Sequence, residues 1–468
     1  MDKKYDVIVI GSGIGGLGCA ALLAHAGFKT LVLEKNRLIG GRCTSYKKKG
    51  FTVDMWIHYF NRCEAGPFGE ILRRVGMEDA VRFFHAPEAE PVIFRFGELE
   101  IPITKELRQH SPFPDIPPDL FDMSLEESHA LDDVTFEQWI GSYTDDEFAI
   151  NVMGSECVLG LVVFPWEASA GELIRCVTEG DREGEIKMGY PYGGSIAIPA
   201  GFAKCLKSYR GKLLTKSPVS RIIVKKGRVE GVRLKDGTAF RAPIVVSNAG
   251  LKETVLRLVG ERNFSKEYVD YINKLETSEG DRGCGIVSIK LALDKPVTRH
   301  PMVFGTRSIE AVNIRTNLEY IFNDEVPPFT ASLFIPVPSN IDPTLAPPGR
   351  QLIIAGLMGP IVSNHWNDWI EYYLDSVEDL LPGVREHLLW YDIAKADDLR
   401  KWSGRFEADI VGIGQKVGQV GSKRPSLASP IKGLYYVGAD TGNDYIGTEL
   451  AAESAISCAE RIIGDSNH

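Results

Sequence analysis

Two hydrophobic patterns alternate along this chain. Val7 to Ile10 is an unbroken β-branched run, the pattern of a strand buried on both faces, and GLGCAALLAHAG after it predicts a helix of small residues that ends at Gly27. KTLVLEK, from Lys29 to Lys35, predicts a second strand. The same order returns near the far end: Leu434 to Val437 reads as a strand, a glycine-bearing turn follows, and a helix is predicted from about Gly447 to Ile463. Between these ends, the pairs Lys226-Gly227 and Asp236-Gly237 lie between β-branched segments and predict hairpins, and APIVVSNAG predicts one more strand before Gly250. The rest carries other signals. CVLGLVVFPW (Cys157 to Trp166) and QLIIAGLM (from Gln351) are long apolar runs, and the Pro-rich loops SPFPDIPPD (Ser111 to Asp119) and IPVPSNIDPTLAPPGR (Ile335 to Arg350) punctuate that region.

Composition narrows the function classes. The chain has 468 residues, 44% of them hydrophobic, enough to bury a large core. Its 63 acidic residues outnumber 53 basic ones and the longest basic run is Lys47-Lys48-Lys49, so nucleic acid is not an expected partner. No stretch of about 18 uncharged apolar residues occurs, so no span of a membrane is expected, and the first apolar run does not read as a signal peptide because it already carries a glycine fingerprint. The eight cysteines lack metal-like or disulfide-like spacing, which fits reduced thiols and a cytoplasmic location; Cys19 and Cys458 read as small core residues. No metal site is expected.

The fingerprint is Gly11, Gly13 and Gly16 in G-x-G-x-x-G spacing between a strand and a helix. The first glycine permits the tight turn, the second admits a phosphate close to the backbone, and the third lets helix and strand approach. Ile14 and Gly15 open the helix, whose free N–H groups and positive dipole end suit a pyrophosphate. Glu34 follows the second strand with Lys35 beside it, where a carboxylate accepts from an adenosine ribose and repels the extra phosphate of NADP. The glycine cluster Gly412 to Gly418 is too long for such a motif and leads to Pro425 instead of a helix, so it is not read as a nicotinamide site.

After Glu34 the chain reads KNRLIGGRC, and its Gly40-Gly41-Arg42 turn resembles the extended fingerprint of the flavin-containing amine oxidase and phytoene desaturase superfamily. GLYYVGADTGNDYIGTELAAESAISCAERI resembles the closing motif of that superfamily, and the block from Gly189 to Gly250 resembles the part of its FAD domain that lies between the two. The resemblance implies FAD as cofactor and an α/β fold: a Rossmann-like FAD-binding domain of the GR2 type from residues 1–75, 189–254 and 426–468, with a discontinuous α+β substrate domain from 76–188 and 255–425. It also implies that Gly41 and Arg42 border the flavin, that Val219 meets the adenine, and that Asn248 closes the site. Gly438 and Asp440 would contact the diphosphate and ribityl chain, while Ile446, Gly447 and Thr448 would bring a helix N-terminus to the pyrimidine edge.

The chemistry is left to what faces the flavin. Thr448 stands where the amine oxidases of the superfamily carry a cage tyrosine, with Tyr445 as a partial substitute. GFTVDMWIHYF, with Asp54 and His58, resembles a stretch of the phytoene desaturase, carotenoid isomerase and retinol saturase branch, except that Trp56 replaces its glycine. Trp56, His58, Tyr59 and Tyr445 are therefore the expected residues around the reacting group, His58 as acid/base or orienting donor, and Asp54 is expected to be structural. The expected function is FAD-dependent desaturation, saturation or isomerisation of an apolar, isoprenoid-like or alicyclic substrate, with an unidentified electron partner and possible peripheral membrane contact. The alternatives are an amine or amino-acid oxidase and a non-enzymatic prenyl-GTPase escort protein of the same fold. CVLGLVVFPW is read as a buried core segment, with an apolar tunnel wall or a membrane-facing patch as alternatives.

Overall fold

A computed structural model describes residues 3–56, 58–87, 90–103, 113–117, 119–120, 122–182, 189–277, 284–442 and 444–466. The β-branched run at Val7–Ile10 is the middle strand of a five-stranded parallel sheet, ordered Lys212–Leu214, Thr30–Leu33, Val7–Ile10, Ile244–Ser247, Leu434–Tyr436. Because side chains alternate faces along a strand, its four residues serve two cores. Val7 and Val9 pack with Leu17, Phe202 and Ala455 of three helices, Ile14–His25, Ala197–Ser208 and Gly447–Ser466; Ile8 and Ile10 face Ile222, Val232 and Val255 on the other side. That second face is covered by a four-stranded sheet of Lys3–Lys4, Ala239–Arg241, Arg228–Leu234 and Val219–Lys225. Lys226-Gly227 and Asp236-Gly237 form its two hairpin turns, as their sequence predicts.

The core under the hairpins runs on past residue 254. Val255, Leu258 and Val259 of the helical turn Glu253–Gly260, Ile272 of the helix Lys266–Lys274, and Leu275 all belong to the core under the hairpins, together with Ile413. Beyond residue 75, Phe83–His85 pairs with Gly189–Pro191. The fingerprint blocks end before these segments, but the apolar face of the hairpins does not, and it draws the next helices onto itself.

A seven-stranded sheet forms the second half, ordered Leu388–Ala394, Cys284–Leu293, Gln351–Pro360, Leu333–Pro336, Met302–Thr306, Val92–Phe96, Leu99–Ile103. All neighbours are antiparallel except Met302–Thr306 with Val92–Phe96. Trp369 and Tyr373 of the helix Trp366–Leu380 fill its core. The Pro-rich loop at 111–119 falls partly outside the described residues. No described helix is long and apolar enough to cross a membrane. Cys19 and Cys458 are buried, in the core where the first and last helices meet.

The helix packing is tight enough to test. Phe202 is fully buried against the helix Ile14–His25. Phe202→Ala should cost about 3 to 5 kcal/mol of stability, read as an earlier urea midpoint with the slope unchanged; an unchanged midpoint would show that this core is not what holds the first helix.

Candidate active site

One cavity of about 1390 Å³ begins at the C-terminal ends of the parallel strands, at Ile10, Leu33 and Val437, and extends to the seven-stranded sheet. Open α/β sheets bind ligands at that edge. A pocket for one small molecule spans roughly 300 to 1,000 Å³, so this cavity has room for a cofactor and a second molecule.

Its end at the parallel strands is built largely from backbone. A Cβ on Gly16 would lie 2.2 Å from the Gly11 carbonyl oxygen, one on Gly13 would lie 2.6 Å from the Asn248 side-chain amide, and one on Gly15 would lie 3.0 Å from Gly438 Cα. Only hydrogen fits in these places. The Asn248 amide joins two of the strands by donating to the Val437 carbonyl at 3.0 Å and accepting from the Gly13 N–H at 3.3 Å. Gly13 caps the first helix without a side-chain bond, so the N–H groups of the first turn are left to the cavity that Ile14 and Gly15 line. Gly16 is not on the wall; it sets how near helix and strand approach.

Glu34 is buried directly after its strand and accepts from Ser12 N–H at 2.9 Å, Ser12 Oγ at 2.7 Å and Asn36 N–H at 2.7 Å. A carboxylate has about four acceptor sites, so one is left for a ligand hydroxyl. Lys35 and Val219 line the same end.

Asp440 lies on the cavity wall, with its side chain taken up by protein groups. Its carboxylate accepts from Leu251 N–H (2.8 Å), Ile413 N–H (3.1 Å) and both terminal nitrogens of Arg405 (3.0 and 2.8 Å). Its acceptor sites are full. Burial disfavours the charged carboxylate, but the Arg405 guanidinium outweighs that and holds it below its usual range. Arg405 also donates through Nε to Asp409 at 2.5 Å, and Arg42 donates to the Asp409 carboxylate at 2.8 Å and carbonyl at 3.0 Å. The Gly40-Gly41-Arg42 turn is thus moored to Asp440 through two residues, Arg405 and Asp409, that the sequence offered no motif to find. Gly412, from the unassigned glycine cluster, packs against Asp440 from the other side.

At the middle of the cavity Trp56, His58, Tyr59, Arg62, Tyr445, Ile446, Gly447 and Thr448 share the wall. Asp54 accepts from Ser45 Oγ (2.6 Å), Ser195 N–H (3.0 Å) and Tyr190 Oη, which is the structural role expected of it. His58 lies beyond the strand Phe51–Asp54, and its Nε2 is 3.1 Å from the Arg42 carbonyl, so that nitrogen is the N–H donor. Burial lowers its pKa, against the pull of Asp54, and keeps the ring neutral. Trp56 is buried with Lys290 Nζ 5.5 Å from its ring, and burial brings that lysine down to about 7. Tyr59 meets Phe334 edge-on. Tyr445 holds the left-handed φ of +90°, and the Arg62 guanidinium lies 4.1 Å from the centre of its ring. Asp444 beside it pairs with the buried Arg175 at 3.2 Å.

Toward the seven-stranded sheet the lining is apolar, with Phe94, Phe304, Phe334, Ile314 and Met153. CVLGLVVFPW divides between its readings. Cys157, Val163 and Phe164 are core, while Val158, Leu161 and Val162 line the cavity.

The sequence model described as flavin containing amine oxidoreductase matches residues 14–463. The chain belongs to that family. Its cofactor is FAD, and the wall fits it: a continuous channel, glycines where a Cβ would intrude, a free helix start, and a carboxylate with one open acceptor site. Among relatives, the chain is 25% identical to a phytoene desaturase of Fusarium fujikuroi, over 99% of this chain and 90% of the other. It is 24% identical to a chloroplastic prolycopene isomerase of an Oncidium hybrid cultivar, over 99% and 84%. The solved structure of cyclohexylamine oxidase from Brevibacterium oxydans superposes with a TM-score of 0.71 over 100% of both chains at 15% identity, a likeness of fold.

Two variants test the electrostatics. Glu34→Ala should weaken FAD binding by about tenfold or more, since a hydrogen bond to a charged group contributes about 1.5 to 3 kcal/mol; equal FAD affinities in a fluorescence titration of the two apoproteins would remove Glu34 from the ligand. For Lys290 the folded pKa is depressed, so above about 7 the unfolded chain holds more protons and stability rises with pH. Relative to Lys290→Met, the wild type should gain stability from pH 7 to 10 with a limiting slope of about 1.4 kcal/mol per pH unit. A constant difference across that window would mean Lys290 stays charged in the fold.

Proposed function

We propose that this flavoenzyme desaturates, saturates or isomerises carbon–carbon bonds of an apolar, isoprenoid-like or alicyclic molecule. The observation that carries the reading is the occupied aromatic ring of Tyr445 on the cavity wall. A cation is attracted to an open aromatic face, yet Thr448 supplies none and the Arg62 guanidinium, itself paired with Glu449 at 3.7 Å, already lies over Tyr445. The Tyr445 face is thus already taken. The phenylalanine-rich half beyond it suits a hydrocarbon skeleton. The phytoene desaturase and prolycopene isomerase relatives support the same chemistry.

In this reading Ile14 and Gly15 hold the pyrophosphate, Glu34 the ribose and Val219 the adenine, with Gly11, Gly13, Asn248 and Gly438 keeping the backbone close. Bound FAD supplies a hydride acceptor or donor at N5. The helix start at Ile446 to Thr448 stabilises negative charge at the pyrimidine edge. His58, neutral and committed to the Arg42 carbonyl, orients the Gly40 to Cys43 turn, while Trp56 and Tyr59 shape the wall. A net redox step requires an electron partner outside the chain, and an apolar substrate resides in lipid, so we place the enzyme in the cytoplasm with peripheral membrane contact.

Mixed anaerobically with primary, secondary and polyamines and amino acids, the oxidised enzyme should keep its flavin spectrum. A polyene, enone or cyclic alkene should change the spectrum of the oxidised or dithionite-reduced enzyme. Rapid bleaching by an amine at micromolar to millimolar concentration, the usual substrate range, would replace this reading with the amine oxidase one.

A further inference from the structure

The apolar half of the cavity holds a carboxyl group for which the scheme above has no use. Glu156 is the last residue of the helix Glu147–Glu156 and lies on the cavity wall. Among the described residues no hydrogen-bond donor or cation pairs with it, and the neighbouring Ser155 hydroxyl is committed to the Val152 carbonyl. Burial with no compensating charge raises it to about 7. The group is withdrawn from bulk water but open to the cavity.

The backbone around it is built to keep it there. After Glu156 the helix widens into a π-turn over Cys157–Leu161 that closes at Val162 with φ +55° and ψ +40°. A β-branched residue rarely takes that conformation, which costs of order 1 to 3 kcal/mol, and π-turns inside helices recur at functional sites. An ordinary helix shows a given side every third or fourth residue. Here Ser155, Glu156, Val158, Gly160, Leu161 and Val162 all reach the wall.

Resting on the carbon–carbon reading, we propose that Glu156 is a specificity residue that hydrogen-bonds a hydroxyl or carbonyl oxygen carried by an otherwise apolar substrate. A carboxyl group poised between its two forms both donates and accepts, which matches a hydroxyl. A buried polar group without a partner costs about 1 to 3 kcal/mol, so a plain hydrocarbon would seal Glu156 in unsatisfied. A charged amine would instead require desolvating two ions in an aromatic pocket.

The test uses the FAD-loaded enzyme and three probes of one skeleton, farnesol, farnesene and farnesylamine, with binding read from the flavin difference spectrum at equilibrium. Wild type should bind farnesol about tenfold more tightly than farnesene, the worth of one such bond. Glu156→Leu should bring the ratio to about one without weakening farnesene, and Glu156→Gln, which keeps the shape and one donor, should retain part of it. Flavin content and circular dichroism confirm that each variant is folded. Equal binding of farnesol and farnesene by wild type, or a ratio that survives in Glu156→Leu, overturns the proposal and leaves the apolar-substrate reading standing. Tightest binding of farnesylamine, lost in Glu156→Leu, overturns it in favour of a cation site. If fully loaded enzyme binds none of the three, the apolar reading falls and this proposal with it.

Discussion

The close approach of three distant stretches of chain is the constraint on which the rest depends. Gly11 to Gly16, Asn248 and Gly438 meet where a Cβ at Gly13 or Gly438 would come within 2.6 Å of the Asn248 amide. Hydrogen alone in those positions lets adjacent parallel strands end together, lets the first helix start at the sheet edge, and leaves backbone as the wall. Widening the contact by one methyl group would separate the strands whose ends bound the cavity. The binding cleft and the fold core are thus one arrangement.

Charge is buried in two ways in this molecule, with different consequences. Around Asp440 opposite charges are held together: Arg405 bridges Asp440 and Asp409, Arg42 also donates to Asp409, and backbone N–H groups fill the remaining acceptor sites of Asp440. Such a cluster fixes the position of the glycine turn, because losing one member would strand the others at a cost of about 3 to 5 kcal/mol. Glu156 and Lys290 are the opposite case. Burial acts on them with little compensation, moving both toward neutrality from opposite ends of the scale. Groups left this way are disfavoured by stability alone, and perturbed ionisation of that kind clusters where chemistry or recognition occurs.

The cavity also explains how one scaffold serves amine and carbon–carbon chemistry within the family. The end at the parallel strands is set by glycines and a helix start, which depend on backbone. The end at the seven-stranded sheet is set by its side chains and the segment from Val152 to Val162. Substitution there changes what is admitted without disturbing what holds FAD.

The sequence by itself determined the parts whose physics is local. A β-branched run is a buried strand wherever it lies, Lys226-Gly227 and Asp236-Gly237 make turns from their own backbone preferences, and Gly11-x-Gly13-x-x-Gly16 between strand and helix builds a phosphate-sized gap. The glycine-built part of the cleft was legible for that reason, whereas Trp56, His58, Tyr59 and Tyr445, which line the same cavity, were expected only from the resemblance to the superfamily. Tertiary structure alone decided whom each side chain meets. Asp440 lies in a cofactor motif, yet Arg405, which fills its acceptor sites, comes from a segment with no pattern of its own. Tyr445 reads as a free aromatic ring until Arg62 is found over it. The hairpins' apolar face captures Val255 and Ile272, which no motif tied to that core. Glu156 is one acidic residue among 63 in the sequence; only the folding of the π-turn against an apolar wall makes it an unpaired carboxyl, since burial and pairing are properties of neighbours in space and not of position along the chain.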